Sequence, residues 1–106
     1  MLKPLEEIWM KVGLEKVDTH ERLSVKALLD SGVIGLFISK KLVERKGFQL
    51  RKLEKPIKVR NIDGTENSGG SITHEIECNM YFQGHVERVQ MDVCELEKIE
   101  MILDIL

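Results

Sequence analysis

Apolar residues recur at every second position along most of this 106-residue chain, and that period confines it to a fold built mainly of strands. Ile8, Met10, Val12 and Leu14 alternate with Trp9, Lys11 and Gly13. After the turn residues of VDTHE, Leu23, Val25 and Ala27 resume the alternation, which passes into the continuous apolar run Ala27–Leu28–Leu29. The pattern predicts a hairpin whose second strand ends at Asp30. VIGLFIS predicts a buried strand, or a turn followed by one. Ile72, His74, Ile76 and Cys78 mark one face of a further strand that Met80 and Phe82 extend, and Val89, Met91 and Val93 mark one face of its return. IEMILDIL gives a last short apolar segment.

Departures from this period are few. Ser39 before KKLVERK, with Gly47 after it, predicts a helix of about two turns with Leu42 and Val43 facing inward. Pro56 in KPIKVRN is suited to starting a central strand and not to continuing one. NIDGTENSGG, residues 61 to 70, is the strongest turn region: Asp63-Gly64 signals a hairpin, and Ser68-Gly69-Gly70 adds backbone freedom. Gln83-Gly84-His85 is a second turn. Many short strands and one short helix predict an all-β barrel or sandwich.

Within that frame, residues 27 to 36, ALLDSGVIGL, carry an ionisable Asp30 directly between two apolar runs. Asp-Ser-Gly alone is an ordinary loop signature, with Asp capping a turn and Gly permitting positive φ. Between two buried strands, however, a carboxylate is poorly solvated and must be partnered or protonated. A second copy of the same loop across a two-fold axis is an economical partner, because two adjacent carboxylates share one proton. One then serves as general base on a water, while the protonated one polarises a carbonyl and later gives its proton to the leaving amine. A chain with one such loop needs a homodimer for this chemistry.

Composition restricts the alternatives. A chain of 106 residues fits one domain, with 32% charged residues, 42% hydrophobic residues and a net charge of −2. No apolar run is long enough to span a bilayer, and MLKPLEEIW lacks a signal-peptide core, so an intracellular location is expected. Cys78 and Cys94 have no metal-binding spacing and are expected as buried thiols; the domain then relies on packing or a partner subunit for stability. His74, Cys78, His85 and Cys94 do not make a zinc set, so neither metal nor cofactor is expected. Lys40 to Arg60 holds nine Lys/Arg against two Glu. Only Phe48 interrupts the basic residues as an aromatic, so a solvated face is expected there rather than a nucleic-acid surface. Trp9, opposite Ile8 and Met10, is expected at a partly exposed edge.

ALLDSG followed by GLFIS resembles the retropepsin-like aspartic proteases, particularly those of gypsy-class long-terminal-repeat retrotransposons and genes derived from them. The similarity extends in order along nearly the whole chain: strand, DSG loop, short helix, IKVRNIDGTENSGGSI as a flap hairpin, paired strands, and MIL near the end. The resemblance implies a closed β-barrel of the single-lobe acid-protease type with one short helix. It implies that Asp30 is the catalytic aspartate, that the Ser31 hydroxyl ties two loops together across a dimer axis, and that the Gly32 backbone lies beside substrate. It also implies that Asp63 to Gly70, with Asp63, Gly64, Gly69 and Gly70, form a flap tip over a bound peptide or polyprotein. Against the family pattern, Val33 and Ile34 replace Ala and a small polar residue, Asp104 replaces a glycine after Ile102-Leu103, and the chain stops at Leu106 where the family continues. Two expectations follow: an aspartic endopeptidase acting as a homodimer through the DSG loop, or an inactive module of the same fold that dimerises or binds peptides.

Overall fold

The computed structural model describes residues 8–30, 35–60 and 66–104. Within them the chain forms β1 (Ile8–Lys16), β2 (Arg22–Asp30), β3 (Leu36–Ser39), α1 (Lys40–Lys46), β4 (Arg51–Arg60), β5 (Glu66–Phe82), β6 (His85–Cys94) and β7 (Met101–Asp104). The sheet order is β1-β2-β7-β3-β6-β5-β4, and β1 also pairs with β5. That second pairing closes six strands into a barrel and leaves β4 outside, attached to β5. Closure removes the open edges that a flat sheet of these strands would present.

The barrel interior holds the residues that the alternation selects. Val12, Leu14, Val25, Ala27, Ile38, Ile76, Cys78, Val89, Met91, Met101 and Leu103 are buried in one cluster. Burying each of the larger side chains contributes about 1.5–3 kcal/mol. Leu42 and Val43 of α1 join them from outside the strands. The helix is delimited as its sequence requires: Ser39 Oγ accepts the Leu42 N–H at 3.4 Å, and Gly47 ends it at φ 71°. Its N–H donates to Glu44 O at 3.3 Å, and that of Phe48 to Val43 O at 3.0 Å. Arg45 and Lys46 occupy the last turn, where the helix dipole favours cations.

Two local expectations fail. Pro56 lies inside β4 rather than at its start, because β4 is an edge strand paired only with β5 and its register shifts between Lys52 and Ile57. A missing N–H there breaks no ladder. Ser68, Gly69 and Gly70 lie within β5 rather than in a turn: the 17-residue strand begins at Glu66, opposite Arg60. β5 is this long because one of its edges serves two partners in succession, β4 through Glu75 and β1 from Cys78, while the other pairs with β6. Trp9 is half-buried, with the Lys26 ammonium 4.9 Å from its ring centroid. Among the described residues, no helix is long and apolar enough to cross a membrane.

Candidate active site

Asp30 is the last residue of β2, and its position is set by β7. The two strands run parallel in the register Ala27–Met101, Leu28–Ile102, Leu29–Leu103 and Asp30–Asp104. On its other side β7 runs antiparallel to β3, pairing Leu103 with Leu36, Ile102 with Phe37 and Met101 with Ile38. Asp30 and Leu36, the strand residues on either side of the DSG segment, therefore flank the C-terminal end of β7. A four-residue strand holds this central place because it is buried on both faces: Met101, Ile102 and Leu103 are all buried.

Glu100 fixes where β7 begins. Its carbonyl accepts the Ser39 N–H at 2.9 Å, and its carboxylate accepts the Lys26 N–H at 2.9 Å. One residue thus ties the entry of β7 to β2 on one side and to the β3–α1 junction on the other. Arg45 stands 3.7 Å from the same carboxylate. Glu100 carried no signal in the sequence, since its partners lie 74 residues away on β2 and at the β3–α1 junction.

Of the residues that the sequence singles out, the structure brings Asp30 and Asp104 to one register position at the end of the β2–β7 ladder. Gly69 and Gly70 are on β5, at the outer end of the β4–β5 hairpin. Ser31, Gly32, Val33, Ile34, Asp63 and Gly64 lie outside the described residues. The likeness of the two endings ALLD and MILD was visible in the sequence, but their pairing was not, because parallel neighbours give no local mark.

The two cysteines sit elsewhere as free thiols. Burial pushes Cys78 up to about 12 and Cys94 up to about 11, so neither is a ready nucleophile. His74 Nδ1 is 2.8 Å from Thr73 Oγ1, and His74 is half-buried. Two shallow grooves, of about 320 and about 400 Å³, flank the start of β4 and share Leu50 in their walls. The ladder of Asp30 contributes to neither.

The family model of the PEG10/RTL1 protease domain matches residues 26–106, a span that begins just before ALLD and takes in both aspartates. Among solved structures, the EIAV protease complexed with the inhibitor HBY-793 is similar with a TM-score of 0.58 at 13% identity, covering 97% of this chain and 86% of that one. The retroviral protease-like domain of Ddi1 from Leishmania major is similar with a TM-score of 0.50 at 20% identity, covering 96% of this chain and 70% of that one. The fold is the retropepsin-like closed barrel.

Proposed function

The chain belongs to the PEG10/RTL1 protease domain family, and from that membership we propose that it is an aspartic-type endopeptidase of gypsy-class retrotransposon descent, active as a homodimer. The observation that carries the proposal is the position of Asp30 at the end of a buried, fully paired ladder, beside the DSG segment and inside the span matched by the family model. One copy supplies one Asp30, so the mechanism needs two chains meeting at their DSG loops. The paired carboxylates share a proton. The ionised one removes a proton from water as that water attacks the scissile carbonyl, and the protonated one polarises the carbonyl oxygen. Collapse of the tetrahedral intermediate passes a proton to the leaving amine and regenerates the shared-proton pair. No metal and no covalent intermediate is involved.

Ser31 ties the two loops together in this mechanism, and Gly32 leaves room for substrate backbone. The β4–β5 hairpin, with Asp63, Gly64, Gly69 and Gly70, serves as the flap that closes over an extended peptide or polyprotein segment. The similarity of the barrel to the EIAV protease, which was solved with an inhibitor, supports the same arrangement.

The test is cleavage of an unstructured protein at mildly acidic pH, together with light scattering. A dimer whose cleavage is blocked by a statine-type inhibitor, and falls at least about 100-fold in Asp30→Asn, is expected. A chain that stays monomeric at high micromolar concentration overturns the dimer mechanism. Equal behaviour of Asp30→Asn and wild type overturns the enzyme and leaves an inactive dimerisation or peptide-binding module. Val33, Ile34 and Asp104, which depart from the family pattern, make that the reading to which failure returns.

A further inference from the structure

The two strands that meet at the proposed site lack the alternation that sets register elsewhere in the barrel. Polar residues punctuate β1 and β6, so a slip of one residue there turns them into the core. On the β2–β7 ladder, Ala27, Leu28 and Leu29 face Met101, Ile102 and Leu103 with no polar residue among them. Ala27, Met101 and Leu103 belong to the interior cluster, while Leu28 and Ile102 are buried outside it. Sliding β7 by one residue therefore exchanges apolar side chains of similar size between two buried faces, a change that cores tolerate. The ladder is short and parallel, the less stable kind of pairing. Hydrophobic pattern leaves the register of β7 open. We propose that Glu100 sets it, and is thereby a positioning residue for the proposed catalysis. The catalytic half of this inference rests on the reading of Asp30 as the catalytic acid.

Glu100 is bonded on both sides of the strand it precedes. Its carboxylate accepts the Lys26 N–H at 2.9 Å, one residue before the first ladder pair, Ala27–Met101. Its carbonyl accepts the Ser39 N–H at 2.9 Å, one residue beyond the pair Ile38–Met101. Neither partner is able to follow a slip. Lys26 is held opposite Lys11 in the continuous β1–β2 ladder, and the Ser39 hydroxyl caps α1. A slip of one residue carries Glu100 about 3.3 Å along both neighbours. That breaks both bonds and strands two N–H groups. The same slip changes which β7 residues pair with Asp30 and Leu36, the strand residues on either side of the DSG segment. Arg45, 3.7 Å from the Glu100 carboxylate and largely exposed, adds little to this hold.

Cross-strand NMR contacts read the register without any need for turnover. Glu100→Gln keeps a side-chain oxygen that accepts from Lys26, whereas Glu100→Ala removes it and leaves the backbone bond. Wild type, Glu100→Gln and Arg45→Ala are expected to show one set of contacts, Ala27 with Met101 and Leu29 with Leu103. Glu100→Ala is expected to show a second set displaced by one residue. A single wild-type set in Glu100→Ala overturns the proposal. An equal displacement in Arg45→Ala assigns the effect to charge and overturns it as well. Hydrogen exchange in wild type keeps the proposal testable if Glu100→Ala does not fold. The Lys26 and Ser39 amides are expected to be as protected as that of Leu28, because the bonds to Glu100 open only with the ladder. Exchange about tenfold faster at Lys26 and Ser39 means that these bonds open while the ladder stays closed, and overturns the proposal.

Kinetics then separate positioning from simple stability. In Glu100→Ala, measured well below its melting temperature, kcat is expected to fall at least about tenfold with KM within about twofold of wild type. Glu100→Gln is expected to restore the wild-type kcat. A displaced register with unchanged kcat confines Glu100 to the fold and overturns its positioning role. If neither wild type nor variants cleave, the enzyme reading falls, and the cross-strand contacts still decide whether Glu100 sets the register.

Discussion

Two acids on neighbouring strands are treated in opposite ways by this barrel. Glu15 on β1 is register partner to Arg22 on one side and to Asn79 on the other. Its carboxylate accepts from Arg22 Nε at 3.0 Å, from Asn79 Nδ2 at 3.0 Å and from the Tyr81 hydroxyl at 3.3 Å. Arg22 also donates to the Tyr81 hydroxyl and stacks 4.5 Å from its ring centroid. The Asn79 and Arg22 hydrogen bonds hold the Glu15 carboxyl below the usual carboxylate range. Asp30 has as its register partner another aspartate. The structural acid is given donors by both neighbours, whereas the proposed catalytic acid shares its register position with a second aspartate.

Both acids depend on one core, and the largest expected effect lies there. Met101 is fully buried and pairs with Ala27 and Ile38 on its two sides. Met101→Ala is expected to cost about 2–5 kcal/mol in urea unfolding. A cost below about 1 kcal/mol would mean that β7 is not the member that holds the ladder.

The comparison predicts stability changes of opposite sign for the two acids. Glu15 has a depressed folded-state pKa, so its contribution is present above the usual carboxylate range and is lost as pH falls through the folded value. Glu15→Gln therefore lowers Tm at neutral pH, and its difference from wild type shrinks on acidification. In the proposed dimer Asp30 meets its own copy, so Asp30→Asn relieves that repulsion and raises Tm at neutral pH, and that gain also fades on acidification. Thermal melts of both variants at neutral pH and well below the carboxylate range check this. A fall in Tm for Asp30→Asn at neutral pH breaks the comparison.

What the sequence made legible was local. The alternation located β1, β2, β5 and β6, because period two is a property of consecutive residues. Ser39 and Gly47 delimited α1, because caps are short-range chemistry. Asp30 stood out because a charged residue interrupts an apolar run. The illegible features are those set between distant segments. Pro56 was tolerable only once β4 was known to be an edge. Gly69 and Gly70 carry a turn composition, yet pairing with β4 holds that stretch in β5. Glu15 carries no local mark of its role, since Asn79 and Tyr81 lie 64 and 66 residues away. Asp104 was legible as a departure from the family pattern, but its pairing with Asp30 is a parallel register that only the closed barrel defines.

The smallest expected effect tests whether acids alone set the pH sensitivity of this region. Ser39 lies where β3 passes into α1: its hydroxyl accepts from Leu42 N–H and its own N–H is held by Glu100 O, so it is adjacent to the site ladder while carrying no charge. Ser39→Ala removes the cap and keeps the backbone bond. The expected cost is about 1 kcal/mol in urea unfolding. Because no proton is gained or lost, that cost is the same at neutral and at acidic pH. Invariance of the Ser39→Ala penalty, alongside acid-dependent effects for Glu15→Gln and Asp30→Asn, locates the pH response in the carboxylates. A Ser39→Ala penalty that changes with pH instead means that the two carboxylates alone do not account for the pH response.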